Sequence, residues 1–267
     1  MSTALITGAS AGLGREFART LARQHSSLVL VARNEDRLNE LADELSGYNI
    51  RIEVLPADLT NDDDLARVAH RASHPEGYGR SGDTLEVPGP VTTLINNAGF
   101  GLGQDFVGGS LQRELDALNV MVKAVMVLCH AAAPAMRARG EGRIINVSSM
   151  TALTAQGTYS AHKAWVRTFS EGLAAELADA KGVSVTAVTP GLIRTEFHER
   201  SEVDASQWPR FAFADPQRVV DEALKAADAG RVLVTPTPLY KTAAALAKFA
   251  PRALVRRVAG PGLSGRN

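Results

Sequence analysis

Thr3-Ala4-Leu5-Ile6-Thr7-Gly8-Ala9-Ser10-Ala11-Gly12-Leu13-Gly14 is the stretch whose reading decides the fold of this chain. A short apolar run, TALIT, passes into a glycine-rich string and then directly into a helical pattern. Glycines permit a tight turn and let the backbone come close to a ligand. A helix that starts there presents unpaired N–H groups and a partial positive charge, which suits a pyrophosphate. Strand, turn and helix start stand in the order a dinucleotide site requires, so Gly8, Ser10, Gly12, Leu13 and Gly14 are expected to form a phosphate cradle.

The same alternation continues along the chain. Strand-like runs fall at 4–7, 27–32, 51–55, 91–96, 142–148, 183–188 and 231–235. Helical patterns fall at 14–25, 35–45, 62–72, 111–139, 159–180 and 216–229. Near-continuously apolar strands between amphipathic helices predict an α/β fold, a doubly wound parallel sheet of about seven strands with helices on both faces. With no repeat or linker in view, 267 residues suit a single domain. Its expected parts are a cofactor-binding half (1–100), a catalytic half (101–235) and a helical extension (236–267). The Gly-, Pro- and charge-rich stretch 73–90 reads as a surface insertion without a function of its own.

Composition excludes several function classes. Lys+Arg and Asp+Glu both number 29, and a formal net charge of zero argues against broad nucleic-acid binding. Cys129 is the only cysteine, so no internal disulfide can form, and a cytoplasmic location fits. Within VMVLCHAAA it reads as a small core filler. The N-terminus shows no charged leader, and the apolar stretch 120–136 contains Lys123, His130 and Pro134, so neither a signal peptide nor a membrane span is expected. The six histidines (His25, His70, His74, His130, His162 and His198) lack metal-ligand spacing, and no metal is expected. Asn146-Val147-Ser148 matches a glycosylation pattern formally, at what reads as a buried strand end.

Two further signals concern chemistry. The second strand ends in Ala32-Arg33-Asn34, where sites for NAD usually carry a carboxylate on the ribose 2′-OH. A guanidinium pairs bidentately with a 2′-phosphate, so Arg33, with Asn34 beside it, predicts NADP(H) in preference to NAD(H). Asp36 is expected to cap the next helix. In GTYSAHKAW, Tyr159 and Lys163 stand one helical turn apart and can converge on one point. A phenol with a pKa of about 10 rarely moves a proton at neutral pH, and a nearby positive charge lowers that value. His162 points to another helix face and reads as structural or as part of a substrate rim.

In this order the motifs resemble those of the short-chain dehydrogenase/reductase family. Thr7-Gly8-xxx-Gly12-x-Gly14 is similar to its glycine-rich turn, Asp58-Leu59 to the adenine-holding position, and Asn96-Asn97-Ala98-Gly99 to the NNAG segment beside the cofactor. Tyr159-xxx-Lys163 matches the active-site motif. Pro190-Gly191-Leu192-Ile193-Arg194-Thr195 matches the turn near the nicotinamide, with Pro190, Gly191, Ile193 and Thr195 as its cofactor-facing positions. Asn119 stands at the fourth catalytic position. The family's serine usually lies about thirteen residues before the tyrosine, where this chain has Asn146; the resemblance then implies Ser149, with Ser148 as the alternative.

The resemblance implies a Rossmann-type fold and hydride transfer between a nicotinamide and a small-molecule ketone or alcohol. Tyr159 would serve as general acid/base, Lys163 would lower its pKa and bond the ribose, Ser149 would hold the carbonyl oxygen, and Asn119 would hold a water through its backbone. It also implies a homodimer or homotetramer. Residues 194–215, with Phe197, Trp208, Phe211 and Phe213, are expected to form a lid that favours an apolar substrate, such as a 3-oxoacyl, lipid-like or steroid-like ketone. The basic, apolar tail 240–258 is expected to pack on a subunit or cleft, with peripheral membrane contact as the minority alternative, and Pro251 should break its helix. The competing readings are a non-catalytic NADP-binding sensor and an NAD-dependent alcohol dehydrogenase.

Overall fold

The computed structural model describes residues 2–74, 88–193 and 212–258, with backbone only for 248 and 249. Most of the expected insertion (73–90) and of the expected lid (194–215), including Thr195, Phe197, Trp208 and Phe211, lies outside the described residues.

Seven strands form one sheet: β1 (Thr3–Thr7), β2 (Ser27–Ala32), β3 (Ile52–Pro56), β4 (Thr93–Asn96), β5 (Gly142–Val147), β6 (Val183–Val188) and β7 (Leu233–Val234). Their order is β3-β2-β1-β4-β5-β6-β7, and every pairing is parallel. The expected doubly wound Rossmann-type sheet is thus observed. Alternation within each strand sends neighbours to opposite faces. Ile6, Leu28 and Leu30 pack with Phe17, Leu21, Leu38, Leu41 and Val219, whereas Leu5, Val29 and Val31 pack with Leu65, Val68, Leu128 and Val166. One face therefore carries α1 (Gly12–Arg23), α2 (Glu35–Leu45) and α7 (Pro216–Asp228). The other carries α3 (Asp62–Ser73), α5 (Ala124–Arg139) and α6 (Thr158–Glu176).

Helix ends follow their capping residues. Asn34 caps α2 by accepting from the Arg37 N–H at 2.9 Å, which leaves Asp36 inside the first turn rather than at the cap expected for it. Asn61 caps α3 and Asp215 caps α7 in the same way. Pro251 separates α8 (Pro238–Phe249) from α9 (Arg252–Val258), as its missing N–H dictates. The pattern at 111–139 holds a feature its sequence did not announce. Between α4 (Leu111–Leu118) and α5, residues Asn119–Lys123 form a π turn, in which the Ala124 N–H bonds the Asn119 carbonyl. This helix, Leu111–Arg139, is long and apolar enough to cross a membrane. Here Leu128, Cys129, Ala132 and Met136 belong to the core over β4 and β5.

Arg71 is fully buried and ion-paired with Glu53 at 2.7 Å. It also donates to the carbonyls of His74 at 3.3 Å, Pro88 at 2.8 Å and Gly89 at 3.2 Å. Those backbone bonds tie His74 to Pro88 and Gly89 through one side chain.

Candidate active site

The order of strands switches direction between β1 and β4, and the carboxyl ends of those strands form the crevice where open α/β sheets take ligands. Gly8 has φ +67, and a Cβ there would stand 2.9 Å from Asn97 Nδ2 and 3.0 Å from Ala98 Cα. A Cβ on Gly14 would overlap the Gly8 carbonyl, so the turn folds onto α1 only with glycine at both positions. The two loops at the crevice are stapled together. Thr7 Oγ1 accepts from the Asn97 and Ala98 N–H groups at 3.0 and 3.1 Å, and Asn97 Nδ2 donates to the Thr7 carbonyl at 3.0 Å.

No side chain caps the N-terminus of α1, and its first turn holds no acidic residue. Glycines that leave room for no Cβ, together with an uncapped helix start, fit an anionic diphosphate. Arg33 and Asn34 are exposed at the end of β2. Among the described residues nothing ion-pairs with Arg33, whereas the Asn34 side chain is committed to its helix cap. Asp58 is half-buried after β3, its Oδ1 accepting from the Thr60 N–H at 3.0 Å and the Thr60 hydroxyl at 2.9 Å, with Leu59 buried beside it.

At the end of β5 the two serines separate. Ser148 is buried and donates to the Lys163 carbonyl at 2.7 Å, so its hydroxyl serves the start of α6. Ser149 faces the other way, accepts from the Thr151 N–H at 3.1 Å and hydrogen-bonds Tyr159. Tyr159 packs with Phe100, Leu102, Ala117 and Met121. Lys163 is 4% exposed and donates to the Val147 carbonyl at 2.8 Å, with Nζ 5.8 Å from the Tyr159 ring centroid. Gly99 lies against both Lys163 and Met121.

The electrostatics differ from the expectation that Lys163 lowers the Tyr159 pKa. Burial raises the phenol well above its ordinary value, opposed by the hydrogen bond with Ser149. Burial also pulls the Lys163 ammonium down, to about 8. The lysine bonds a backbone carbonyl rather than the phenol, so without a ligand the pair is held mostly uncharged on the tyrosine side.

Behind the site runs a buried amide chain. Asn96 Nδ2 donates to Asn146 Oδ1 at 2.8 Å, and Asn146 Nδ2 donates to Ser170 Oγ at 2.9 Å. Asn146, at the place where the family's serine was sought, is a fully buried link between β5 and α6. Cys129 joins this chain, and burial pushes its thiol up to about 12.

Sequence reading gave Glu114 and Tyr240 no part in the site. Asn119 opens the π turn that packs beside α6. Glu114, buried, accepts from the hydroxyl of Thr158, the neighbour of Tyr159, at 2.6 Å and from Gln104 at 3.0 Å. His162 is buried near it, with Nδ1 unpartnered among the described residues; burial chiefly lowers its pKa. Tyr240, from α8, lies on Gly191 and bonds Leu192. Pro190, Gly191 and Ile193 sit at the end of β6, where Met150 N–H donates to the Pro190 carbonyl at 2.9 Å. Among the described residues no cluster of histidine, cysteine or acidic side chains could hold a metal.

The geometry has counterparts in known proteins. The short chain dehydrogenase family matches residues 2–205. An uncharacterized oxidoreductase of Staphylococcus saprophyticus is 30% identical over 227 residues, covering 84% of this chain and 89% of that protein. A short-chain dehydrogenase from Sphingobium yanoikuyae in complex with NADPH superposes with a TM-score of 0.78 at 32% identity, covering 95% of this chain and 97% of the other. The bulky-bulky ketone specific alcohol dehydrogenase from Comamonas testosteroni gives a TM-score of 0.74 at 30% identity, with 97% and 98% covered. With its stapled glycine turn, its Ser149–Tyr159 contact and these likenesses, the chain belongs to the short-chain dehydrogenase/reductase family of oxidoreductases.

Proposed function

We propose that this protein is an NADP(H)-dependent carbonyl reductase or alcohol dehydrogenase acting on an apolar ketone. The observation that carries the reading is the convergence of Ser149, Tyr159 and Lys163 at the crevice beside the Gly8–Gly14 cradle. An exposed Arg33 without an ion-pair partner among the described residues supports NADP(H), as does the NADPH complex of the Sphingobium relative. The bulky-ketone specificity of the Comamonas relative supports an apolar substrate.

When bound, a reduced nicotinamide supplies the hydride to the carbonyl carbon; the rest is work for this chain's residues. Gly8, Ser10, Gly12, Leu13 and Gly14 would hold the diphosphate, Asp58 and Leu59 the adenine end, and Asn97, Ala98, Gly99, Pro190, Gly191 and Ile193 the remainder. Ser149 donates to the carbonyl oxygen as charge develops there. Tyr159 gives that oxygen its proton. The raised phenol pKa keeps the proton in place until an oxyanion forms beside it. Lys163 steadies the phenolate left behind, and the Asn119 carbonyl, at the π turn, holds the water through which the proton is replaced. Homodimer or homotetramer formation through the α4–α6 side fits the exposed Leu115, Leu118 and Met126.

The test is NADPH oxidation against graded ketones, from small diketones to 3-oxoacyl thioesters and steroids, with Tyr159→Phe as control. Turnover should fall by about 10²–10⁴-fold in the variant while NADPH binding is retained. Near-normal turnover in Tyr159→Phe sinks the assignment. Binding of NADPH with no ketone turned over favours the non-catalytic sensor.

A further inference from the structure

The end of β6 is held by a residue that comes from the far side of the sequence. The Tyr240 hydroxyl accepts from the Leu192 N–H at 3.1 Å and donates to the Ala212 carbonyl at 2.7 Å. Its ring packs against Gly191, where any Cβ would overlap the ring carbons. Gly191 has no left-handed φ, so glycine is required here for this close approach and not for its conformational freedom. Around the same point the Ala214 N–H donates to the Leu192 carbonyl at 2.8 Å, and Ile193 forms a parallel bridge with Ala214. The Pro190 carbonyl in turn accepts from Met150, the neighbour of Ser149.

The placement of Tyr240 is itself constrained. Thr237, at the start of α8, has φ +70, which a β-branched residue adopts only when its surroundings force it. Glu222 on α7 supplies part of that force, with one carboxylate oxygen accepting from the Thr237 N–H at 3.5 Å and the other from Lys241 at 3.1 Å. A strained entry and a carboxylate anchor thus aim one phenol at one turn.

We infer that Tyr240 is a positioning residue that sets the backbone of Pro190–Ile193, and through it the nicotinamide end of the coenzyme site and the register of Ser149. The inference rests on the coenzyme reading above and names a residue through which that site is built. Removing the hydroxyl leaves the Leu192 N–H of the turn and the Ala212 carbonyl without this partner, while the ring still covers Gly191.

The experiment compares binding of two probes by calorimetry: NADPH, and 2′,5′-ADP, which lacks the nicotinamide half. Tyr240→Phe should weaken NADPH by about tenfold, as expected for one lost hydrogen bond, and leave 2′,5′-ADP within about twofold. Equal losses for both probes, or none for either, overturn the inference. Wild-type protein that binds neither probe overturns the coenzyme reading along with it, so the two failures are distinguishable. A second arm guards against misfolding. Gly191→Ala should lower Tm and NADPH affinity in the native background but have little further effect in a Tyr240→Ala background, since the clash is with the ring. Additive effects in that cycle overturn the inference.

Discussion

Lys163→Met should separate the cost of the active-site lysine from its use. Lys163 is 4% exposed, and its ammonium has the Val147 carbonyl as its hydrogen-bond partner at 2.8 Å. Burial lowers its pKa from 10.5 to about 8, so the folded state holds this proton less tightly than the unfolded chain does. Such a shift corresponds to a penalty of roughly 3 kcal/mol on the charged form. The penalty is fully present below pH 8 and is relieved as pH rises toward 10.5, because across that window the unfolded chain binds more protons. Methionine has similar length and no charge, so it removes the titration while losing one hydrogen bond, a loss that does not vary with pH. Urea unfolding of both ligand-free proteins from pH 7 to pH 10 gives the comparison. The stability of the native protein relative to Lys163→Met should rise by on the order of 2 kcal/mol over that range. A difference that stays flat would falsify the claim that Lys163 is held with a depressed pKa. One that falls with pH would reverse its sign.

Four other outcomes can be checked with standard assays. Arg33→Asp should shift the coenzyme preference from NADPH toward NADH, measured as the ratio of kcat/KM values; an unchanged ratio moves the specificity to Ser10 or Asn34. Ser149→Ala should lower kcat by about 10²-fold with little change in Tm, the order expected for one donor to a developing oxyanion. Ser148→Ala should instead lower stability by about 0.5–1.5 kcal/mol, the net worth of its buried hydrogen bond to the Lys163 carbonyl. The reverse pattern would exchange the roles of the two serines. Cys129, buried and with its pKa raised to about 12, should resist thiol reagents at pH 8 until the protein unfolds; prompt labelling of folded protein would contradict its placement.

What could be read in the sequence was whatever is encoded locally. The seven strands are short apolar runs whose neighbours leave no other role, and the Gly8–Gly14 turn carries its geometry in its own residues. Pro251 breaks a helix wherever it stands. The remainder depends on contacts across long stretches of chain. Ser148 and Ser149 are equivalent in sequence, and only the docking of α6 gives one of them the Lys163 carbonyl and the other Tyr159. The π turn at Asn119–Lys123 contains no glycine or proline to announce it. Tyr240 reads as one more aromatic in an apolar tail, because its partner, Leu192, is 48 residues away. The hydrogen bonding of Lys163 is a related case: its proximity to Tyr159 in a helix was legible, whereas the Val147 carbonyl that accepts from its ammonium was not.

The buried Arg71 makes the surface next to it a practical attachment point. One guanidinium bonds the carbonyls of His74, Pro88 and Gly89, so the described residues on either side of 75–87 are tied together at the C-terminal end of α3. When the ends of a loop are pinned, lengthening it costs only about 0.6 kcal/mol for each doubling. A fluorescent reporter, an affinity handle or a tether to a solid support spliced between residues 75 and 87 should therefore leave the sheet and the coenzyme crevice undisturbed. The same insertion made with Arg71→Leu would release the carbonyls of His74, Pro88 and Gly89 and leave the buried Glu53 carboxylate without its ion pair.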